Sequence, residues 1–437
     1  MKRFYFITLL VFCFCNSLRA QSMRDTLSRE DKLYTLSKIW KEADYNFVFF
    51  DKVPKLNWDS LYIAYIPKIL ATRNVYQYFK VLSSFMANLK DGHTGVQVNQ
   101  NYWNQIDSPP ITIVRHGNTR YVTAIDESLK DQVPIGSEIV QINGKSWPEF
   151  FASADLENNE WTGFQNSELE LTLLTPDKRT LKAVVKRNSN VLFRNKTMKM
   201  IPGGVPVVTK NFEYKSLSPQ IAYVGINTFA DSVIVKNFND ALPEIRKHQT
   251  LILDIRQNGG GNDAYAIEVA KYITDKPYMI GPMWSARNNN SAQKAWAVFY
   301  HTPKAEYEKT TWDRHPGDTV NIPKDLKPLN MPVYILTSQR TGSAAEDFLI
   351  YLNGSKNITT IGQTTNGSSG QPLTFTIPGN FSVRICAKRD AFPDGTDFIG
   401  VGIKPNVYVE PFFSLTGEEK KDLELNKALE IIASNKR

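Results

Sequence analysis

Apolar residues change their spacing along this chain. From about residue 24 to 92 they recur at helical intervals. Leu33, Leu36, Trp40 and Ala43 share one face of a predicted helix whose start is marked by Ser28 with Asp31 three residues on. Val75, Phe79, Leu82, Met86 and Leu89 share the face of another. Pro54 and Pro67 punctuate the region between them. The second helix is expected to stop at Asp91-Gly92, where glycine takes the left-handed conformation that ends helices.

After Pro109-Pro110 the pattern becomes that of strands. Ile111–Val114, Tyr121–Ile125, the segment Val133–Gly144, the alternating Leu169, Leu171 and Leu173, and Leu181–Val185 form one small β module. From about 205 strand and helix alternate. Strands are predicted at 221–226, 251–255, 333–337, 358–362, 371–377 and 381–387, and helices at 231–246, 264–273 and 343–352. A last helix carries Leu425, Ala428, Leu429 and Ile432, with Thr416 and Glu419 as its cap. The stretch 277–330 shows no clear period. This alternation argues for a layered α/β core.

Length and charge narrow the picture. At 437 residues the chain is too long for one compact domain. Its 52 basic and 44 acidic residues leave +8, too dilute an excess for a nucleic-acid partner. With five histidines, three cysteines and no zinc-type spacing, neither metal nor cofactor is expected. Lys2 and Arg3 precede the apolar run Phe4–Cys15, and Ala20 follows, so residues 1–20 read as a secretory signal peptide. The run falls short of the roughly 20 apolar residues that span a bilayer. The mature chain is therefore expected in the periplasm or outside the cell, with no stable membrane span. Only Cys386 would remain, so no internal disulfide can form and stability must come from the core.

Three segments carry candidate chemistry. Asp254–Gly261 ends in Gly259, Gly260 and Gly261 directly after a buried strand, where backbone amides can face an open site and hold an oxyanion. A flexible turn is the plainer reading of that run. Thr337–Asp347 follows another apolar strand and opens a helix at Ser343, so the serine hydroxyl sits at the positive end of the helix dipole. Ser343 as a simple N-cap, with Glu346 as its third helical residue, explains the same local pattern. His93 stands just past a helix end between Gly92 and Gly95, presented rather than packed. A serine nucleophile needs such a base nearby.

Taken together, these residues resemble the S41 family of serine peptidases, the tail-specific or C-terminal-processing group, and most closely its tricorn-like branch. The resemblance rests on Leu89–Thr94, the PDZ-like Ile135–Gly144, Leu253–Gly261, Thr341–Glu346 and a tail from Asp394-Gly395 to Val401–Asn406, in family order. It implies a multidomain α/β fold: an N-terminal helical domain over 21–107 carrying His93, a PDZ-like β domain over 108–190, and a ClpP/crotonase-like layered catalytic core over 205–437. It implies Ser343 as nucleophile, His93 as general base, and an oxyanion hole from the amides of Gly259, Gly260, Gly261 and Ala344. The substrate would be a polypeptide. The processing branch places a lysine in a Gly-x-x-Thr-x-Gly-Lys frame. Gly362, Thr365 and Gly367 keep that frame here, but Ser368 holds the lysine position, which shifts weight onto His93. The tricorn-like branch has a serine just before the histidine, where Gly92 stands, and a late glutamate where Ile399 stands. The acid that would orient His93 is then Asp397, with Asp394 and Glu346 as alternatives. Two rival readings use the same scaffold: a non-catalytic peptide- or lipid-binding protein, and a crotonase-like acyl-transfer enzyme.

Overall fold

The computed structural model describes residues 27–97, 102, 105–116, 119–146, 161–201, 210–303, 306–307, 311–410 and 422–435. The proposed signal peptide and the expected Thr416–Glu419 cap lie outside these residues. The chain forms two compact units interleaved in sequence. One takes the residues up to Ile111, Glu138–Met198 and Pro372–Ile385; the other takes Thr112–Ser137, Lys199–Gln371 and Cys386–Arg437.

The first unit opens with helices α1 (Arg29–Asn46), α2 (Trp58–Leu70) and α3 (Val75–Ala87). The Ser28–Asp31 capping box forms as the spacing predicts: Asp31 N–H donates to Ser28 Oγ at 2.9 Å and Ser28 N–H to Asp31 Oδ2 at 3.2 Å. Pro67 lies inside α2 rather than between helices. There it removes the one bond that its N–H would have donated to Ile63 O, and the helix ends one turn later. The end of α3 also differs from expectation. The helix stops at Ala87, and Lys90, not Gly92, takes the left-handed backbone at φ 53°. Beyond His93, strand Gly95–Gln97 pairs antiparallel with Phe381–Cys386. Phe381 stacks on Phe79 and Tyr102. Strands Glu138–Ile142, Glu168–Leu174 and Thr180–Lys186 form an antiparallel run in which Leu169, Leu171 and Leu173 are fully buried, as their alternation predicts.

The second unit is built on a six-stranded sheet, β1 (Phe212–Ser218), β2 (Ile221–Ile226), β3 (Thr250–Asp254), β4 (Val333–Thr337), β5 (Ile358–Gly362) and β6 (Val407–Tyr408), paired in that order. The edge pair β1–β2 is antiparallel and every other pair is parallel. Strands covered on both faces need apolar residues at every position. In β3 the run Leu251–Leu253 and in β4 the run Val333–Leu336 supply them. Leu251, Leu253, Val333 and Ile335 join a core with helices α4 (Val233–Ile245), α5 (Asp263–Ile273) and α6 (Ala344–Tyr351). Ile252, Tyr334 and Leu336 face the other way, toward Ala428 and Ile432 of α7 (Leu423–Ser434). Cys386 is a buried thiol whose Sγ donates to Lys388 O at 3.3 Å. The stretch without a sequence period is structured: it forms strands Tyr278–Ile280 and Thr319–Asn321, strands Met283–Arg287 and Trp312–His315, and helix Ser291–Phe299. Strands of three to five residues are too short to show alternation.

Candidate active site

Parallel strands deliver their following loops to one edge of the sheet, and in open α/β sheets ligands bind outside those carboxyl ends. Here β3, β4 and β5 are adjacent. They are followed by the glycine run 259–261, by Ser343 and by the loop 363–370. Segments that are remote in the sequence therefore meet.

Side chains and amides stitch the three loops together. Ser338 Oγ donates to Arg256 O (2.6 Å), Thr341 Oγ1 to Ile255 O (3.0 Å) and Gly342 N–H to Asn258 O (3.1 Å). Asn258 is fully buried; its amide donates to Ile226 O and its Oδ1 accepts Gly260 N–H at 2.9 Å. Gly260 has φ +103°, and a Cβ there would lie 2.6 Å from Ser343 Cβ and 2.9 Å from Ala344 N. The glycine is thus required twice, by its backbone angle and by the approach of the serine. Gly260 N–H already has an acceptor. Of the four amides expected to hold an oxyanion, Gly260's is thus already engaged within the loop.

Ser343 is half-buried and has φ 54°, ψ −130°, the first central position of a type II′ turn, which normally takes glycine. Such a backbone costs on the order of 1–3 kcal/mol and persists only where the surroundings over-determine it. They do so here. Ser343 N–H donates to Ser368 O at 2.7 Å and lies 3.2 Å from Glu346 Oε2. Glu346 is fully buried and also accepts from Gly367 N–H (2.7 Å), Ser368 N–H (2.9 Å) and Thr365 Oγ1. Burial pushes its carboxyl above the usual glutamate range, and these donors pull against that shift. Glu346 is therefore a latch between the serine turn and the loop after β5, with its oxygens already engaged.

The tail motif closes over the same loop. Gly367 has φ +72°, and a Cβ there would lie 2.6 Å from Gly402 N; its carbonyl accepts Gly400 N–H. Asp397, in this tail, pairs with Arg389 at 2.7 Å and accepts Ile399 N–H at 2.9 Å. Asp394 accepts from Thr396 N–H, which holds its carboxyl below the usual range. Ser343, Ala344, the glycine run, Ser368 and the tail thus come together within the second unit. His93 belongs to the first unit, where it is half-buried and its N–H donates to Asp91 Oδ2 at 3.2 Å.

Residues 220–409 match the profile of peptidase family S41. This region is a peptidase family S41 domain. The chain is 24% identical over 237 residues to a probable CtpA-like serine protease of Staphylococcus haemolyticus, covering 53% of this chain and 40% of that protein. It is 26% identical over 208 residues to the carboxy-terminal processing protease CtpA of Bacillus subtilis, covering 47% and 38%. The chain thus spans about two-fifths of the length of these curated relatives. The fold is shared with mature CPAF in its complex with lactacystin, at a TM-score of 0.63 and 13% identity over 93% of this chain and 98% of that one.

Two parts of the S41 domain escaped sequence reasoning. One is Arg256, nearly buried, whose guanidinium meets Asp254 (2.6 Å), Asp422 (2.6 Å) and Glu424 (2.9 Å) and ties the end of β3 to the start of α7. The other is a polar cluster under the serine turn, built on Asp347. Helix α6 is buried at every position, and its first turn carries Glu346 and Asp347 ahead of the apolar run Phe348–Ile350, so two acids adjoin a core-facing helix.

Proposed function

We propose that this protein is an exported serine endopeptidase that hydrolyses peptide bonds of polypeptide substrates, with Ser343 as nucleophile and His93 as general base. The observation that carries the reading is the Ser343 turn: a strained serine at a helix N-terminus, with Gly260 of the glycine run packed on its Cβ and on the Ala344 amide. A hydroxyl so held is set up to attack a carbonyl while amides stabilise the resulting oxyanion. The match to family S41 and the names of its relatives support the same reaction.

In this mechanism His93 takes the serine proton as Oγ bonds to the carbonyl carbon, and returns it to the leaving amine as the acyl-enzyme forms. Water then releases the second product, with His93 again as base. Asp397 is the acid we assign to orient His93. The β module near 108–190 is read as PDZ-like, binding the substrate chain by strand addition or gating the site. Export rests on the N-terminal sequence; among the described residues no helix is long and apolar enough to cross a membrane.

The test is proteolysis of an unstructured polypeptide by wild type, Ser343→Ala and His93→Ala. Cleavage by wild type alone supports the assignment. Equal cleavage by Ser343→Ala ends it. A wild type that binds the polypeptide without cleaving it favours the non-catalytic reading.

A further inference from the structure

Beneath the serine turn lies a buried polar cluster that the proposed chemistry does not use. Ser369 Oγ lies 3.0 and 3.1 Å from the two oxygens of Asp347 and 3.0 Å from Asp390 Oδ2. Asp347 and Asp390 are essentially inaccessible, and Ser369 is buried. Lys388 Nζ stands 3.0 Å from Asp390 Oδ1, an ion pair whose alignment leaves that oxygen without a well-directed donor. Asp263, at the start of α5, stands close enough to Asp347 for its charge to raise the cost of ionising that carboxyl. The members come from each piece of the candidate site. Asp347 is on the helix that Ser343 opens, Asp263 on the helix that follows the glycine run, and Ser369 is next to Ser368, whose carbonyl accepts Ser343 N–H. Asp390 lies on strand Arg389–Ala391, beside Lys388.

We propose that Asp347, Ser369, Asp390 and Lys388, together with Asp263, form a positioning network that fixes Ser343 against the glycine run. It deepens the reading of Ser343 as nucleophile and rests on it. The network acts through backbone: Ser369 anchors the loop, the Ser368 carbonyl holds the Ser343 amide, and Asp263 and Asp347 lock the two helices.

Charge counting sets its protonation. Two buried carboxyls and the half-buried Asp263 face one ammonium. Burial, reinforced by the neighbouring carboxylates, pushes Asp347 well above the usual range, and burial raises Asp263. The pairing with Asp390 keeps Lys388 charged despite its burial. Tyr351, one turn further along α6, is pushed up to about 12 by burial and then by these carboxyls and Asp318, so it stays neutral. Both shifts favour a proton shared by the Asp263–Asp347 pair over two ionised carboxylates. Its loss at high pH places a further buried negative charge in the cluster and loosens the loop.

The test uses the whole chain with two readouts. The first is the rate of fluorophosphonate labelling of Ser343 from pH 5 to 10. Asp347→Asn supplies a neutral donor: it labels within about threefold of wild type at pH 7, and the alkaline fall of the wild-type profile flattens. Asp347→Ala and Ser369→Ala, checked as folded by near-UV circular dichroism, label at least tenfold more slowly. The second readout is amide hydrogen exchange in peptides spanning 341–351 and 363–371. It speeds up in Asp347→Ala and not in Asp347→Asn. Exchange unchanged in Asp347→Ala overturns the network whatever the labelling shows. So does a wild-type alkaline profile retained by Asp347→Asn. A wild type that never labels removes the peptidase reading, and the exchange experiment then decides the network alone.

Discussion

Adding one methyl group at Gly260 tests the site geometry more sharply than deleting a side chain. The Cβ of Gly260→Ala would stand 2.6 Å from Ser343 Cβ, 2.8 Å from Gly342 O and 2.9 Å from Ala344 N. Two of these three neighbours are backbone atoms, so no flexible side chain can swing away. The φ of +103° adds its own penalty for an L-residue. A strained backbone costs about 1–3 kcal/mol and overpacking a similar amount, giving roughly 2–6 kcal/mol in all. A domain with an ordinary margin of about 5–15 kcal/mol can still fold, but relief comes from moving the serine turn away from the amides. Loss of one well-placed oxyanion donor lowers rates by about 100- to 1000-fold, and a displaced Ala344 amide would act in the same way. The assay pairs fluorophosphonate labelling rate with urea unfolding. The packing control is Gly259→Ala, whose Cβ meets nothing within 4 Å; its unfolding free energy should match wild type or exceed it by up to about 1 kcal/mol. Wild-type stability and labelling rate in Gly260→Ala would refute the close approach on which the site is built.

Four further outcomes follow from the same contacts. Ser343→Gly should abolish labelling yet be more stable than Ser343→Ala by about 1–2 kcal/mol, because glycine alone relieves φ 54°; equal stability on urea unfolding contradicts the strain. Glu346→Gln turns an amide NH2 toward donors of the serine turn and its partner loop, costing about 1–3 kcal/mol per mismatched donor and slowing labelling; an unchanged unfolding midpoint would contradict the latch. Arg256→Ala strands buried Asp254 and should cost about 3–5 kcal/mol in urea unfolding, and a loss under 1 kcal/mol would show the ion cluster to be dispensable. Asp347 and Glu346 both titrate above their unfolded values in the folded chain. Their stabilising contribution is complete below the ordinary carboxylate range and is lost as pH rises through the folded values. Unfolding free energy measured from pH 4 to 8 should therefore fall less steeply in Asp347→Asn than in wild type, and parallel curves would contradict the shift.

The layered core was legible because its strands are covered on both faces. Leu251–Leu253 and Val333–Leu336 are continuous apolar runs, and no other local pattern explains them. The serine turn and the glycine run were legible as loops that follow such strands, since composition there is set by backbone geometry. The end of α3 falls several residues before the glycine that the pattern favours, because Lys90 takes the left-handed conformation. The small strands of 277–330 were invisible because three to five residues carry no period. The positioning cluster was hidden for a different reason. Asp263, Asp347, Ser369 and Asp390 are ordinary polar letters whose meaning comes only from tertiary proximity. The same holds for Glu346, which reads as a helix cap in sequence and serves a second loop in space.

The central claim is that Ser343 is an activated nucleophile, and adduct mapping tests it most directly. The full chain is treated with a fluorophosphonate, digested, and the modified peptides sequenced by mass spectrometry. The account predicts a single adduct on Ser343, absent in Ser343→Ala. No adduct on the folded wild type, or one on another serine that persists in Ser343→Ala, would contradict it.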